Sequence, residues 1–98
     1  MSEQVQSAPK GHRVLLENDR VRVVEVCIKP GDTSGWHSHP ACVVYQLSDA
    51  RVKFNLPDGK SREVESKPGD LVWSEGGPHE VINVGPSDDL GIIVELKR

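Results

Sequence analysis

Lys29-Pro30-Gly31-Asp32-Thr33-Ser34-Gly35-Trp36-His37-Ser38-His39 opens on a proline–glycine turn and closes on two histidines two residues apart. The same turn recurs at Lys67-Pro68-Gly69-Asp70, and a third histidine, His79, follows it. Side chains two apart on a strand share a face, so His37 and His39 are expected to look the same way. With a third imidazole from another strand they would form a donor set suited to a first-row metal ion. The repeated turn points to two similar halves, each entering a strand through the same corner.

Outward from these turns the chain reads as short strands. Val21 and Val23, then Val24, Val26 and Ile28, alternate with a change of phase that predicts a bulge in one long strand. Cys42 to Ser48 is a second apolar run. Val52, Phe54 and Leu56 alternate with Arg51, Lys53 and Asn55, as a strand with one buried face requires. Pro57-Asp58-Gly59-Lys60 is a tight turn, and Ser61 to Ser66 is the return strand. Leu71–Trp73, His79–Val84 and Leu90–Leu96 complete a set of about eight strands. With seven prolines and nine glycines between them, helices have little room. The fold class is all-β, a sandwich or a closed barrel.

Ninety-eight residues allow one domain, with residues 1–12 read as a flexible N-terminal arm and 13–98 as the folded unit. A net charge of −3 without a basic block argues against nucleic acid. No apolar run approaches the ~20 residues of a membrane span and no signal peptide is evident, so neither membrane nor export is expected. Cys27 and Cys42 lack a CxxC spacing. Both are expected as free thiols in a cytoplasmic protein, Cys27 as a packing residue.

These residues resemble the cupins, the small double-stranded β-helix (jelly-roll) barrels of the RmlC-like kind. The family's first motif runs from a glycine through five residues to His-x-His, then three or four residues to a glutamate, then six to a glycine. Here Gly31, His37 and His39 fit, while Val43 stands where the glutamate belongs, or Val44 at the longer spacing, and Ala50 replaces the second glycine. The second motif is matched by Gly69, Gly76, His79 and Asn83, with Ser74 at its proline place, one residue nearer Gly69 than usual. The likeness spans roughly Val14 to Leu96. It also extends to short bacterial single-domain cupins that begin Glu-Asn-Asp-Arg-Val-Arg-Val, here Glu17 to Val23.

The resemblance implies a cupin barrel over 13–98 with His37, His39 and His79 as metal ligands and no carboxylate. By strand parity Val43 and Tyr45 are expected to face inward with the histidines. The Tyr45 hydroxyl is then the candidate proton donor, against the alternative of an aromatic that fills the barrel. Cys42 is expected to face away. His12 is read as a solvated surface residue, Glu80 as a surface carboxylate, and Glu75 as a loop residue that joins the site only if its loop folds inward. Trp36 and Trp73 are read as packing residues and Asn83 as a backbone-bonding amide. Three neutral imidazoles leave a divalent ion its full charge and open positions, which suits an anionic, chelating ligand. Iron(II) is favoured by family analogy, with zinc, nickel, manganese and copper as alternatives. The first functional reading is an iron(II)-dependent oxygenase of a small β-dicarbonyl, carboxylate or thiol. The second is a non-catalytic barrel that binds a metal or small ligand. A homodimer is expected on either, with Val14–Leu16 as the segment for exchange.

Overall fold

The first Lys-Pro-Gly-Asp turn closes with the Asp32 amide donating to the Lys29 carbonyl at 2.9 Å, the second with Asp70 donating to Lys67 at 3.1 Å. Proline presets the first corner position, and Gly31 and Gly69 supply the positive φ (85° and 91°) that the next one needs. Each turn then locks onto one residue of the opposite half. Gly31 donates to the Asn83 carbonyl while the Asn83 amide donates to Asp32; Gly69 donates to Gln46 while Gln46 donates to Asp70. The two halves expected from the sequence are therefore built alike.

The computed structural model describes residues 10–97. They form nine strands: β1 (His12–Glu17), β2 (Val21–Ile28), β3 (His37–His39), β4 (Cys42–Gln46), β5 (Ala50–Asn55), β6 (Ser61–Ser66), β7 (Leu71–Ser74), β8 (Gly77–Asn83) and β9 (Asp89–Leu96). For residues 1–9 the expected arm lies outside the described residues, and β1 begins at His12. Among the described residues no helix is long and apolar enough to cross a membrane.

Five strands form one sheet in the order β1-β2-β9-β4-β7, and four form the other in the order β3-β8-β5-β6. Val26, Ile28, Val52 and Val81 are buried between them, with Phe54, Val64 and Ile93 packed against that core. Each such aliphatic side chain contributes on the order of 1.5–3 kcal/mol on leaving water. Register sorts the five-stranded sheet into rows, because directly paired residues share a face. One inward row is Val14, Val24, Ile93, Val44 and Val72; the next is Arg22, Glu95, Cys42 and Ser74. The alternate residues Val23, Val94, Val43 and Trp73 lie on the outer face, as do Ile92, Tyr45 and Leu71.

Two sequence expectations change here. β2 pairs with β9 without interruption from Val21 to Ile28, so the phase change at Val23–Val24 marks a strand that is apolar on both faces. The irregularity sits instead in β1, between Val14 and Leu16. Cys27 is exposed rather than packed, and Trp36 and Trp73 both stand more than half exposed. Asn83, 1 % exposed, donates through Nδ2 to the Ile28 and Ser87 carbonyls at 2.8 Å and accepts from the Gly85 amide. It is the backbone-bonding amide expected of it, and it fastens the end of β8 to β2.

Candidate metal centre

β3 and β8 pair antiparallel with His37 directly opposite His79 and His39 opposite Gly77. That register brings the two-histidine strand and the lone histidine into one cluster. His79 Nε2 stands 3.2 Å from His39 Nε2 and 3.2 Å from His37 Nε2. The three side chains are half-buried and their ligand atoms all fall within 4.8 Å of one another.

The outer ring nitrogens fix the tautomers. His37 Nδ1 donates to the Gly35 carbonyl at 3.0 Å, and His39 Nδ1 to the Pro40 carbonyl at 3.0 Å. A carbonyl only accepts, so both Nδ1 atoms carry the proton and both Nε2 atoms present a bare lone pair. One proton on His79 Nε2 can satisfy only one of them. A cation at their common point satisfies all three. Imidazole–metal bonds of about 2.0–2.1 Å at angles between perpendicular and tetrahedral place two nitrogens about 2.9–3.4 Å apart. Both separations from His79 lie inside that span. With the three ligand atoms gathered within 4.8 Å of one another, the donor set fits a first-row divalent ion once His37 and His39 close on it.

Electrostatics favour the neutral form of His37 and His79. Burial, with added repulsion from the other histidines, holds His79 down at about 4, and burial lowers His37 as well. Neutral imidazoles are the ligating form, so protons compete weakly for this site.

The cluster opens on a cavity of about 460 Å³ between the sheets, walled by Val26, Val44, Val52, Val64 and Val81. Phe54 packs against His79 with ring centroids 5.3 Å apart. Arg62 lies over Phe54, 6.0 Å from its ring, and lines the same cavity. Among the described residues Arg62 forms no ion pair. Glu75 stands at the cavity rim, exposed, with its carboxylate accepting from Trp73 Nε1 at 2.7 Å. Glu80 points away, taking hydrogen bonds from Thr33 and Asn55.

Tyr45 is a correction. It is 46 % exposed on the outer face and does not line the cavity, so its hydroxyl is not at the site. Val43 shares that outer face, while Cys42, Val44 and Gln46 turn inward. The reason lies at Pro40-Ala41, where the chain leaves the β3 sheet for the β4 sheet; alternation does not carry across such a corner. Cys42 accordingly is fully buried and holds its Sγ 3.7 Å from His39 Nδ1, against the expectation that it faces away. Burial raises the Cys42 thiol pKa, which favours the inert protonated form. The vacant carboxylate place is therefore that of Val44, at the longer spacing.

His12, read from the sequence as a surface residue, lines the cavity too, with its ring centroid 5.5 Å from that of His37. The alternation His12-Arg13-Val14 was the only signal of this, and no pattern in the sequence singled out Arg62.

No family model matches the chain, and no curated protein does. Solved structures do. A cupin domain from Bordetella pertussis Tohama I is 29 % identical, with a TM-score of 0.81 over 89 % of this chain and 92 % of that one. A conserved double-stranded β-helix protein from Klebsiella pneumoniae is 24 % identical, with a TM-score of 0.70 over 87 % and 74 %. The polyketide cyclase RemF from Streptomyces resistomycificus is 24 % identical, with a TM-score of 0.65 over 93 % and 68 %.

Proposed function

The chain is a cupin by fold, and on that footing we propose that it is a metal-dependent enzyme, an iron(II) oxygenase of a small chelating anion. The observation that carries the metal is the meeting of the Nε2 atoms of His37, His39 and His79, two of them bare by virtue of their Nδ1 bonds. The observation that favours chemistry on an anion is the cavity itself. It is apolar along its valine wall and carries Arg62, which has no ion-pair partner among the described residues. It has Val44 at the β4 carboxylate place, with Asp70, Glu75 and Asp89 as its acidic lining.

Each residue then has a task. The three imidazoles hold the ion, and an ion so held would supply Lewis acidity and, as iron(II), one-electron chemistry. Without a protein carboxylate the site keeps a surplus of positive charge, which an enolate, carboxylate or thiolate offsets. Val26, Val52, Val64 and Val81 exclude water, so every charge inside the cavity counts for more. Arg62 offers a second anionic group five donors at the cavity lining. Phe54 packs against both that guanidinium, 6.0 Å from its ring, and His79, with ring centroids 5.3 Å apart.

The test begins with elemental analysis of the protein purified without tag or chelators, beside a His37→Ala/His79→Ala double variant. About one equivalent of transition metal, lost in the variant, is expected. Oxygen uptake by the anaerobically iron-loaded protein is then followed with acetylacetone, acetoacetate and cysteine. Turnover of at least one, slowed in Arg62→Ala for the carboxylate-bearing probes, supports the oxygenase. Stoichiometric binding without turnover would make the barrel a binding module instead.

A further inference from the structure

All four histidines of this chain lie at one cavity, yet only three belong to the cluster just described. The fourth, His12, opens β1, the edge strand of the five-stranded sheet. Its place is built rather than incidental. The Lys10 amide donates to the Ser34 carbonyl, and the Gly11 carbonyl accepts from the Cys27 amide at 2.7 Å. Gly11 adopts a φ of 75°, and a Cβ there would meet the Cys27 carbonyl oxygen at 2.7 Å. The segment that delivers His12 is thus pinned to β2 and to the loop that precedes His37.

His12 carries the same outer bond as the ligand histidines. Its Nδ1 donates to the Lys10 carbonyl at 2.9 Å, as His37 does to Gly35 and His39 to Pro40. That bond places the proton on Nδ1 and leaves Nε2 a bare lone pair, the state in which histidine binds metals. Its ring centroid is 5.5 Å from that of His37, and the ring separations within the trio run from 4.7 to 5.8 Å. The place where a carboxylate would reach the ion from β4 is held by Val44, which cannot coordinate.

We infer that His12 is a fourth imidazole ligand of the centre, supplied from β1 in place of the carboxylate missing from β4. The inference rests on the metal reading above. The ligand atoms of the trio already lie within 4.8 Å of one another and those of His12 stand outside that group, so His12 swings inward as the ion binds. The backbone stays pinned, so the movement is a rotation of the His12 side chain. The completed site is four neutral imidazoles. It keeps the ion's full charge for an anionic ligand while adding the affinity that three imidazoles alone lack.

The test uses the full chain loaded with zinc(II). Long-range proton–nitrogen NMR reads each histidine nitrogen separately, and the expected result is a metal-induced shift at Nε2 of His12, His37, His39 and His79. In His12→Gln the other three shifts persist, while zinc affinity by chelator competition falls about 10–100-fold, the usual scale for disturbing a metal's immediate surroundings. Unchanged thermal unfolding of the metal-free variant shows that the fold is intact; a variant that unfolds leaves the wild-type spectrum to decide. Shifts at three histidines with His12 unmoved overturn this inference and leave the metal reading standing. Shifts at none overturn both.

Discussion

At the scale of the residue, the centre differs from the pattern it resembles by one side chain, Val44. Val44→Glu returns a carboxylate to the inward row beside Ile93 and Val72. We expect tighter binding of zinc or iron(II), read by chelator competition. We also expect the metal-free variant to lose about 1–3 kcal/mol of unfolding free energy, because a carboxyl without partners is then buried among valines. Unchanged metal affinity would show that this side chain does not reach the ion. A second residue-scale prediction concerns His79, neutral in the fold down to about 4 against an ordinary 6.5. Between those values the unfolded chain binds more protons than the folded one, so stability rises with pH. The contribution is fully present above 6.5 and is lost as pH falls through 6.5 toward 4. Urea midpoints of the metal-free protein at pH 7.5, 5.5 and 4.5 should therefore decline, and His79→Ala should flatten the decline.

At the scale of the element, β8 reaches the site only because of the turn before it. Gly76 has a φ of 87°, and a Cβ there would press on the His39 carbonyl and stand 2.7 Å from the Pro40 carbonyl carbon. Gly76→Ala is expected to push β8 from β3, abolish metal binding and lower the thermal midpoint by several degrees. Retention of both would mean that the turn relaxes without moving His79. The place of Gly76 was legible in the sequence, as the motif glycine three residues before His79. The facing of β4 was not. Parity within His37–His39 holds because those residues share one strand, whereas Pro40-Ala41 carries the chain to the other sheet and resets which residues face inward. Cys42 and Tyr45 exchanged their expected faces for that reason alone.

At the scale of the whole molecule, the outer face of the five-stranded sheet is apolar. Leu71, 69 % exposed, adjoins Tyr45 and Ile92 in one row, and Trp73 adjoins Val43 and Val94 in the next. A contiguous exposed apolar patch of this kind marks an interaction surface, and a second copy of the chain covers it with least new machinery. We expect a homodimer by light scattering at micromolar concentration and a monomer for Tyr45→Glu/Leu71→Glu, whose cavity and metal binding stay intact. A wild-type protein of monomer mass would remove the idea. β1, which contains the Val14–Leu16 segment expected for exchange, pairs here with β2 of its own chain.

By itself the sequence determined the strand content, the two matched Lys-Pro-Gly-Asp corners, the cupin barrel and the histidines His37, His39 and His79. Those features are local or periodic: a proline and a glycine at set turn positions, and alternation inside one strand. Only the tertiary structure decided what long-range pairing brings together. It turned Val44 and Cys42 inward and Tyr45 outward, set Arg62 on the cavity wall, and brought His12 from the start of β1 to the side of His37. Sheet order and register place these residues, and neither is written in the spacing of residues along the chain.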